Sequence, residues 1–126
     1  MELLRRLPDS VRTPFELLQA GEYDKAIQAY RAFHRQHPND DLVSEGRLNG
    51  LGYQFLRCFR VEEALAVFQL NTQLYPTSSN AFDSLAEAFE ATGDTASAID
   101  HYRRAAQLDV ENTHARKKLA KLDPRN

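Results

Sequence analysis

A pattern of bulky and small residues recurs along this chain at an interval of 34 residues. Each copy has a bulky residue, then a leucine and a small residue, then an aromatic residue, a further alanine and a further aromatic residue. The positions are Leu48, Leu51, Gly52, Phe55, Ala64 and Phe68, and they recur as Phe82, Leu85, Ala86, Phe89, Ala98 and Tyr102. A period of this length predicts stacked supersecondary units that each need a neighbour to bury their apolar face.

Apolar periodicity and capping residues predict seven helices and no strands. The first helix begins at a capping box, from Thr13 to Glu16, and ends at Gly21. The others are predicted over about 23–37, 41–57, 61–75, 79–92, 95–109 and 113–122. The caps of the later helices are predicted to be Asp40 or Asp41 for the third, Ser78 or Ser79 for the fifth, Asp94 for the sixth, and Asn112 or Thr113 for the last.

Composition narrows the class of protein. The chain has 126 residues and a net charge of −2, which gives no general attraction to nucleic acid or to an anionic membrane. It has no apolar run long enough to insert in a membrane and no secretory signal after its first residues. A single cysteine, Cys58, cannot form an internal disulfide. A reducing compartment such as the cytoplasm is the simplest expectation; the alternative is a fragment of an exported protein, which would have the same features.

The repeated spacing, bulky-x2-Leu-small-x2-aromatic followed by Ala-x3-aromatic and then Pro76, resembles the tetratricopeptide repeat (TPR). The resemblance implies an all-α fold, a right-handed solenoid of helical hairpins with about three repeats and a C-terminal capping helix. The predicted division of the single TPR domain, 1–126, is an N-terminal extension (1–13), a degraded repeat (14–38), two repeats (41–76 and 78–110) and a capping helix (112–122).

The first repeat departs from the pattern in two ways. Four extra residues lie near Asn39–Gly46, and Ser10, Thr13 and Pro14 stand where two large residues and a small one are expected. Its first helix is therefore predicted to be short and to begin at Pro14. Apolar residues before it form a separate turn over the exposed end or belong to a longer chain. These residues are Leu3, Leu4 and Leu7.

In TPR proteins the first helix of each hairpin lines a concave groove, so the resemblance implies where a partner binds. The candidate binding residues are Asn49, Tyr53, Arg57, Asn80, Asp83, Glu87, Glu90, Lys117, Lys118 and Lys121. Three of them, Asp83, Glu87 and Glu90, suit an Arg or Lys of a peptide; alternatively the lysines neutralise these carboxylates within the domain. TPR proteins of the chaperone-binding type hold a C-terminal carboxylate with Lys, Asn and Arg on successive first helices. The matching positions here do not show that pattern, so we do not expect binding to acidic chaperone tails; they are Val11, Phe15, Gly50, Asn80 and Ser84.

Residues 46–110 also resemble TPR tails of bacterial serine hydrolases, which include beta-lactamase-like and esterase-like enzymes. The distinctive residue is Asn71, which falls where Ala105 lies in the next repeat. A buried amide at this position needs hydrogen-bond partners. We expect it to bond the loop Pro76–Asn80 and to fix the angle between repeats; the alternative is that it reaches a ligand.

No group of residues points to catalysis. His34 and His37 lie three apart on one helix without a third metal ligand nearby, Ser84 lacks a nucleophile elbow, and Cys58 lacks an activating base. We therefore predict a non-enzymatic module with no metal or cofactor, which binds a protein or peptide in its groove. The alternatives are a regulatory tail or accessory subunit of a hydrolase, or self-association through the N-terminal end at Ile27, Tyr30 and Phe33.

Overall fold

A computed structural model describes residues 12–125 of the chain. Within these residues it contains seven α-helices and no strand, which confirms the predicted all-α solenoid of helical hairpins. The helices are α1 (Pro14–Gln19), α2 (Tyr23–Gln36), α3 (Glu45–Arg57), α4 (Val61–Leu74), α5 (Ser79–Thr92), α6 (Thr95–Leu108) and α7 (Thr113–Leu122). Every pair of consecutive helices except α2 and α3 packs together, and α3 also contacts α5, as α2 contacts α4.

The caps of the first helix in successive hairpins are 34 residues apart. The side chains of Ser44, Ser78 and Asn112 each accept a hydrogen bond from the backbone N–H three residues later, at 3.0–3.2 Å. The expectation that Asp40 or Asp41 caps α3 is wrong. Asp40 instead caps a 3-10 turn, Asp41–Val43, which contains part of the four-residue insertion and delays the start of the helix.

All three hairpin turns use a residue with left-handed backbone at the same place in the repeat. Gly21 and Gly93 have φ of 81° and 83°, as their glycine identity predicts. The corresponding residue of the middle hairpin is Phe59, with φ of 60° and a side chain that is 92% exposed. A residue with a Cβ is strained in this conformation, so the middle turn is less stable than the turns on either side.

The small residues of the repeat allow close packing of the hairpin helices, as predicted. Gly52 on α3 lies against the ring of Phe68 on α4, where a Cβ would be 2.5 Å from Cδ1. Ala64, Ala86 and Ala98 are fully buried beside their partner helices. The larger part of the core surrounds α3 and α4, and a second cluster joins α5, α6 and α7.

The expected partner of Asn71 is wrong. Its Nδ2 donates to the carbonyl oxygen of Glu45 at 3.1 Å, so it joins the two helices of its own hairpin and does not reach the following loop. In the next hairpin the equivalent positions are Ser79 and Ala105, and the direction is reversed, because the Ser79 hydroxyl donates to the Ala105 carbonyl at 2.7 Å. Both bonds fasten the start of the first helix to the second helix.

The N-terminal hairpin buries part of the apolar face that the sequence predicted to be open. The short helix α1 begins at Pro14 after the Thr13 cap, as expected, and it buries Leu17 and Leu18. Tyr30 is only 6% exposed, whereas Ile27 and Phe33 are half-buried. The leucines at positions 3, 4 and 7 lie outside the described residues.

Candidate partner-binding groove

A polar pocket of about 420 Å³ lies where α3, α5 and the start of α7 meet. Four of the predicted binding residues line it: Tyr53, Asn80, Asp83 and Glu87. Ser79, Asp109, Asn112 and His114 complete the lining. The pocket therefore brings together side chains from two repeats and from the last helix.

Two carboxylates of α5 share one histidine of α7. Asp83 and Glu87 are four residues apart, so they lie on the same face of the helix. The Nδ1 atom of His114 is 2.7 Å from Asp83 Oδ1, and its Nε2 atom is 3.7 Å from Glu87 Oε1. The Asp83 side chain is mostly buried, whereas that of His114 is about half exposed. The imidazole thus lies between the two carboxylates at the edge of the pocket.

His114 was missed because the predicted contribution of α7 began at Lys117. The repeat length could have found it, since His114 lies 34 residues after Asn80, which was a predicted groove residue. The same reasoning applies to the whole first turn of α7. A helix that resembles only the opening of a repeat still places its opening residues in the groove.

Glu90 has a different environment from the other two carboxylates. Tyr102 donates a hydrogen bond to Glu90 Oε1 at 2.6 Å, and Lys118 Nζ is 3.1 Å from the same oxygen. Burial alone raises the pKa of Glu90, but the hydrogen bonds from Tyr102 and Lys118 outweigh it and hold the pKa below its ordinary value. For this residue, neutralisation by a lysine of the same chain is what the structure shows.

With Glu90 paired to Lys118, the carboxylates of the groove that lack a lysine or arginine partner are those of Asp83 and Glu87. Among residues 12–125, no lysine or arginine forms an ion pair with either of them; their ionic neighbour is His114. Asp109 adds a third carboxylate to the lining of the pocket. The pocket therefore has a negative potential that a cationic group can reduce.

Tyr53 supplies the aromatic side of the pocket. Its ring packs edge-on against Phe68, with the ring centroids 5.1 Å apart and the planes at 71°. Burial raises the pKa of Tyr53 to about 12, and the nearby Glu87 and Asp83 contribute in the same direction. The phenol is thus neutral at physiological pH and keeps a hydroxyl hydrogen that it can donate.

The other predicted binding residues do not line this pocket. Arg57 is exposed in the last turn of α3, and Lys117 and Lys121 are exposed on α7. Asn49 is half-buried, and its Oδ1 atom has no hydrogen-bond partner among residues 12–125. Whether any of these side chains contacts a partner stays a prediction.

One cluster has the side-chain types of a metal site. Ligand atoms of Asp83, Glu87 and His114 lie within 4.8 Å of one another. Three ligands are fewer than the four of a structural zinc site, and the imidazole is already hydrogen-bonded to one of the carboxylates. His34 and His37 do not converge in this way, since they pack against the rings of Tyr75 and Phe33.

None of the helices in residues 12–125 combines the length and the apolar character needed to cross a bilayer.

Comparison with known proteins identifies the repeat. A family model of the tetratricopeptide repeat matches residues 79–122, and a second tetratricopeptide repeat model matches residues 16–40. The chain therefore carries tetratricopeptide repeats, in agreement with the 34-residue spacing. No curated protein sequence matches it.

Solved structures of TPR proteins share the fold at low sequence identity. The first TPR of Spaghetti (RPAP3), bound to the HSP90 peptide SRMEEVD, is 20% identical over 89% of this chain and 86% of that chain, with a TM-score of 0.61. MamA is 23% identical over 91% of this chain and 65% of that chain, with a TM-score of 0.59. PcrH in complex with the chaperone binding region of PopD is 21% identical over 88% of this chain and 84% of that chain, with a TM-score of 0.57. At these identities the similarity concerns the fold.

Two finer sequence predictions are not tested by these similarities. None of the three structures is a serine hydrolase, so the resemblance to hydrolase tails stays a prediction. The positions of the chaperone-type clamp carry no cationic side chain among residues 12–125, where they are Phe15, Gly50, Asn80 and Ser84. The expectation that this chain does not bind acidic chaperone tails therefore stays a prediction.

Proposed function

We propose that this chain is a non-catalytic interaction module that binds a segment of another protein in its concave groove. The segment places a lysine or arginine side chain in the pocket next to Tyr53. The observation that carries the proposal is the pair of carboxylates at Asp83 and Glu87, which have no lysine or arginine partner within residues 12–125. Glu90, which has Lys118, is left out of the recognition set.

The chemistry of the pocket supports this choice of ligand. Carboxylates on one helix face form charge-assisted hydrogen bonds with an ammonium or guanidinium group, and these are stronger than bonds between neutral groups. The aromatic face of Tyr53 can pack on the aliphatic stem that carries the charge. His114 lies between the same two carboxylates, so a ligand has to share them with the imidazole.

Selection from a random peptide library on the full chain tests this function. Peptides that bind are expected to share a lysine or arginine, and their affinity is expected to fall at least tenfold for the double variant Asp83→Asn/Glu87→Gln. The matched control is Glu111→Gln, which removes an exposed carboxylate outside the pocket. Selected peptides without a basic residue, or equal loss with the control, would contradict the proposal.

The resemblance of residues 46–110 to TPR tails of bacterial serine hydrolases suggests one source of such a partner. A hydrolase, or a protein that regulates one, would present the basic segment to the groove. This partner class rests on the sequence resemblance alone. Its test is co-purification of this chain with a candidate hydrolase, with and without the double variant.

A further inference from the structure

Three side chains at the edge of the polar pocket have donor atoms of the kinds that transition-metal ions bind. Asp83 and Glu87 come from α5 and His114 comes from α7, and one ligand atom of each lies within 4.8 Å of those of the other two. This is the one group of three such side chains among residues 12–125. The imidazole has one nitrogen directed to each carboxylate, so all three donors converge on a small volume.

The helices that carry these side chains are held at a fixed distance. Asp83 and Glu87 are four residues apart, which is the spacing that places two metal ligands on one helix face. The start of α7 is fastened to the start of α5, because the Nδ2 atom of the capping Asn112 donates to the Ser79 hydroxyl at 2.8 Å. His114 follows this cap by two residues. The backbone therefore brings the third ligand beside the other two.

Packing also orients the imidazole. The ring of His114 lies edge-on to that of Tyr102, with the ring centroids 6.0 Å apart and the planes at 71°. Tyr102 is fully buried and is part of the core cluster that joins α5, α6 and α7. A ligand whose orientation is set by its neighbours loses less conformational freedom when an ion binds.

The charges of the cluster match a divalent cation. Asp83 is only 7% exposed, and no lysine or arginine in residues 12–125 forms an ion pair with Asp83 or Glu87. Buried charges in proteins are generally paired or coordinate a metal ion. Two carboxylates and a neutral imidazole, which is the form that binds metals, have two negative charges. Asp109, which lines the same pocket, adds to the attraction.

We propose that Asp83, Glu87 and His114 bind a divalent transition-metal ion of the zinc class. An imidazole ligand favours Zn²⁺ over Mg²⁺ and Ca²⁺, which bind oxygen atoms. Three protein ligands leave a position for water or for an atom of a partner, as in zinc sites that are not purely structural. This assignment differs from the expectation of no metal, which considered the histidines at positions 34 and 37.

Small side-chain movements complete the site. Zinc–ligand bonds of about 2.0–2.2 Å in a tetrahedral arrangement place the ligand atoms about 3.3 Å apart, so the ion draws the three groups together. The side chains of Glu87 and His114 are partly exposed and can rotate, whereas that of Asp83 is mostly buried and stays in place. The ion takes the place of the hydrogen bond between His114 and Asp83.

A bound ion would regulate the groove, and this consequence rests on the proposed function. The carboxylates of Asp83 and Glu87 are the same groups that are proposed to contact a lysine or arginine of a partner. An ion of charge +2 neutralises both of them, so a basic side chain no longer meets a negative potential. The partner segment therefore binds the metal-free chain, and zinc displaces it.

Calorimetric titration of the chelator-treated full chain with Zn²⁺ tests the metal site. The chain contains Cys58→Ser, because the exposed thiol is itself a zinc ligand. One Zn²⁺ per chain is expected to bind, and its affinity is expected to fall at least about tenfold in His114→Gln and in Glu87→Gln. Circular dichroism verifies that both variants fold. The matched control, His34→Gln/His37→Gln, is expected to keep the affinity.

Three results of this titration would overturn the metal site. Absence of Zn²⁺ binding would do so directly. An equal loss of affinity in the control and in His114→Gln would show that zinc binds elsewhere on the chain. Binding of Mg²⁺ as tight as that of Zn²⁺ would show that the imidazole is not a ligand.

Competition distinguishes this inference from the proposed function. A selected peptide with one lysine is titrated into the metal-free chain and into the zinc-saturated chain, and its affinity is expected to fall several-fold when zinc is bound. If the peptide depends on Asp83 and Glu87 but zinc leaves its affinity unchanged, the regulatory role is refuted. If zinc binds through His114 but no selected peptide depends on the two carboxylates, the proposed function is refuted and the metal site is supported.

Discussion

Replacing Gly52 with alanine tests the close approach of α3 and α4. The new Cβ would lie 2.5 Å from Cδ1 and 2.6 Å from Cζ of Phe68, whose ring is fully buried and cannot move aside freely. Overpacking of a core costs about 1–3 kcal/mol, and so severe a contact belongs at the upper end of that range. Alanine also gains up to about 1 kcal/mol over glycine from helix propensity. The free energy of unfolding is expected to fall by about 2 kcal/mol.

Gly50→Ala is the matched control, because it lies on the same helix and its Cβ would meet no atom within 4 Å. This variant should gain only the propensity term, so its free energy of unfolding should rise by about 0.5–1 kcal/mol. Urea unfolding followed by circular dichroism measures the change in the free energy of unfolding for each variant, and the two changes should have opposite signs. If Gly52→Ala were as stable as Gly50→Ala, the helices would not pack as described.

Three further changes test other contacts. Ala98→Leu adds volume at a fully buried position and should cost about 1–3 kcal/mol in urea unfolding; an unchanged value would refute the packing of α5 on α6. Asn71→Ala removes the hydrogen bond to the backbone of the facing helix and should cost about 1 kcal/mol, whereas an unaltered stability would show that the amide has no structural role. The folded-state pKa of Glu90 is below its unfolded value of about 4.5, although burial alone would raise it. The ionised Glu90 carboxylate therefore contributes its full share to the free energy of unfolding above about pH 4.5, and this contribution is lost as the pH falls through the lower folded-state pKa. Tyr102→Phe removes one of the bonds that lower this pKa, so acid titration of its stability should show a smaller loss; an identical loss would contradict the assignment.

The repeat spacing predicted the helices well because each boundary has a local cause. Gly93 must adopt positive φ, and Asp94 can cap only the helix that follows it. The start of α3 was harder to predict, since Asp40, Asp41 and Ser44 are all good caps. The choice among them depends on how the insertion folds, and its 3-10 turn is not marked by a distinctive residue.

The candidate site was less predictable because its contacts join residues that are far apart in the chain. The position of Asn71 in the repeat indicated that it is buried, but several carbonyl groups were within reach, and the one it bonds belongs to the helix before it. The predicted neutralisation of carboxylates by lysines holds at Glu90 but does not extend to Asp83. Side-chain rotamers decide which charged groups form ion pairs, and rotamers cannot be read from the sequence pattern.

The last helix, α7, both covers part of the core and contributes charged side chains beside the carboxylates of α5. Its Ala115 completes the second core cluster, and its His114 and Lys118 set the charge of the groove. A chain shortened to end near residue 110 would expose apolar surface on α6 and would also leave Asp83, Glu87 and Glu90 without their ionic neighbours. Repeats added at this end, or a substitute cap taken from another repeat protein, would preserve solubility but replace the groove residues of α7. The choice of C-terminal boundary thus determines which charges lie beside Asp83, Glu87 and Glu90 as well as how much apolar surface is exposed.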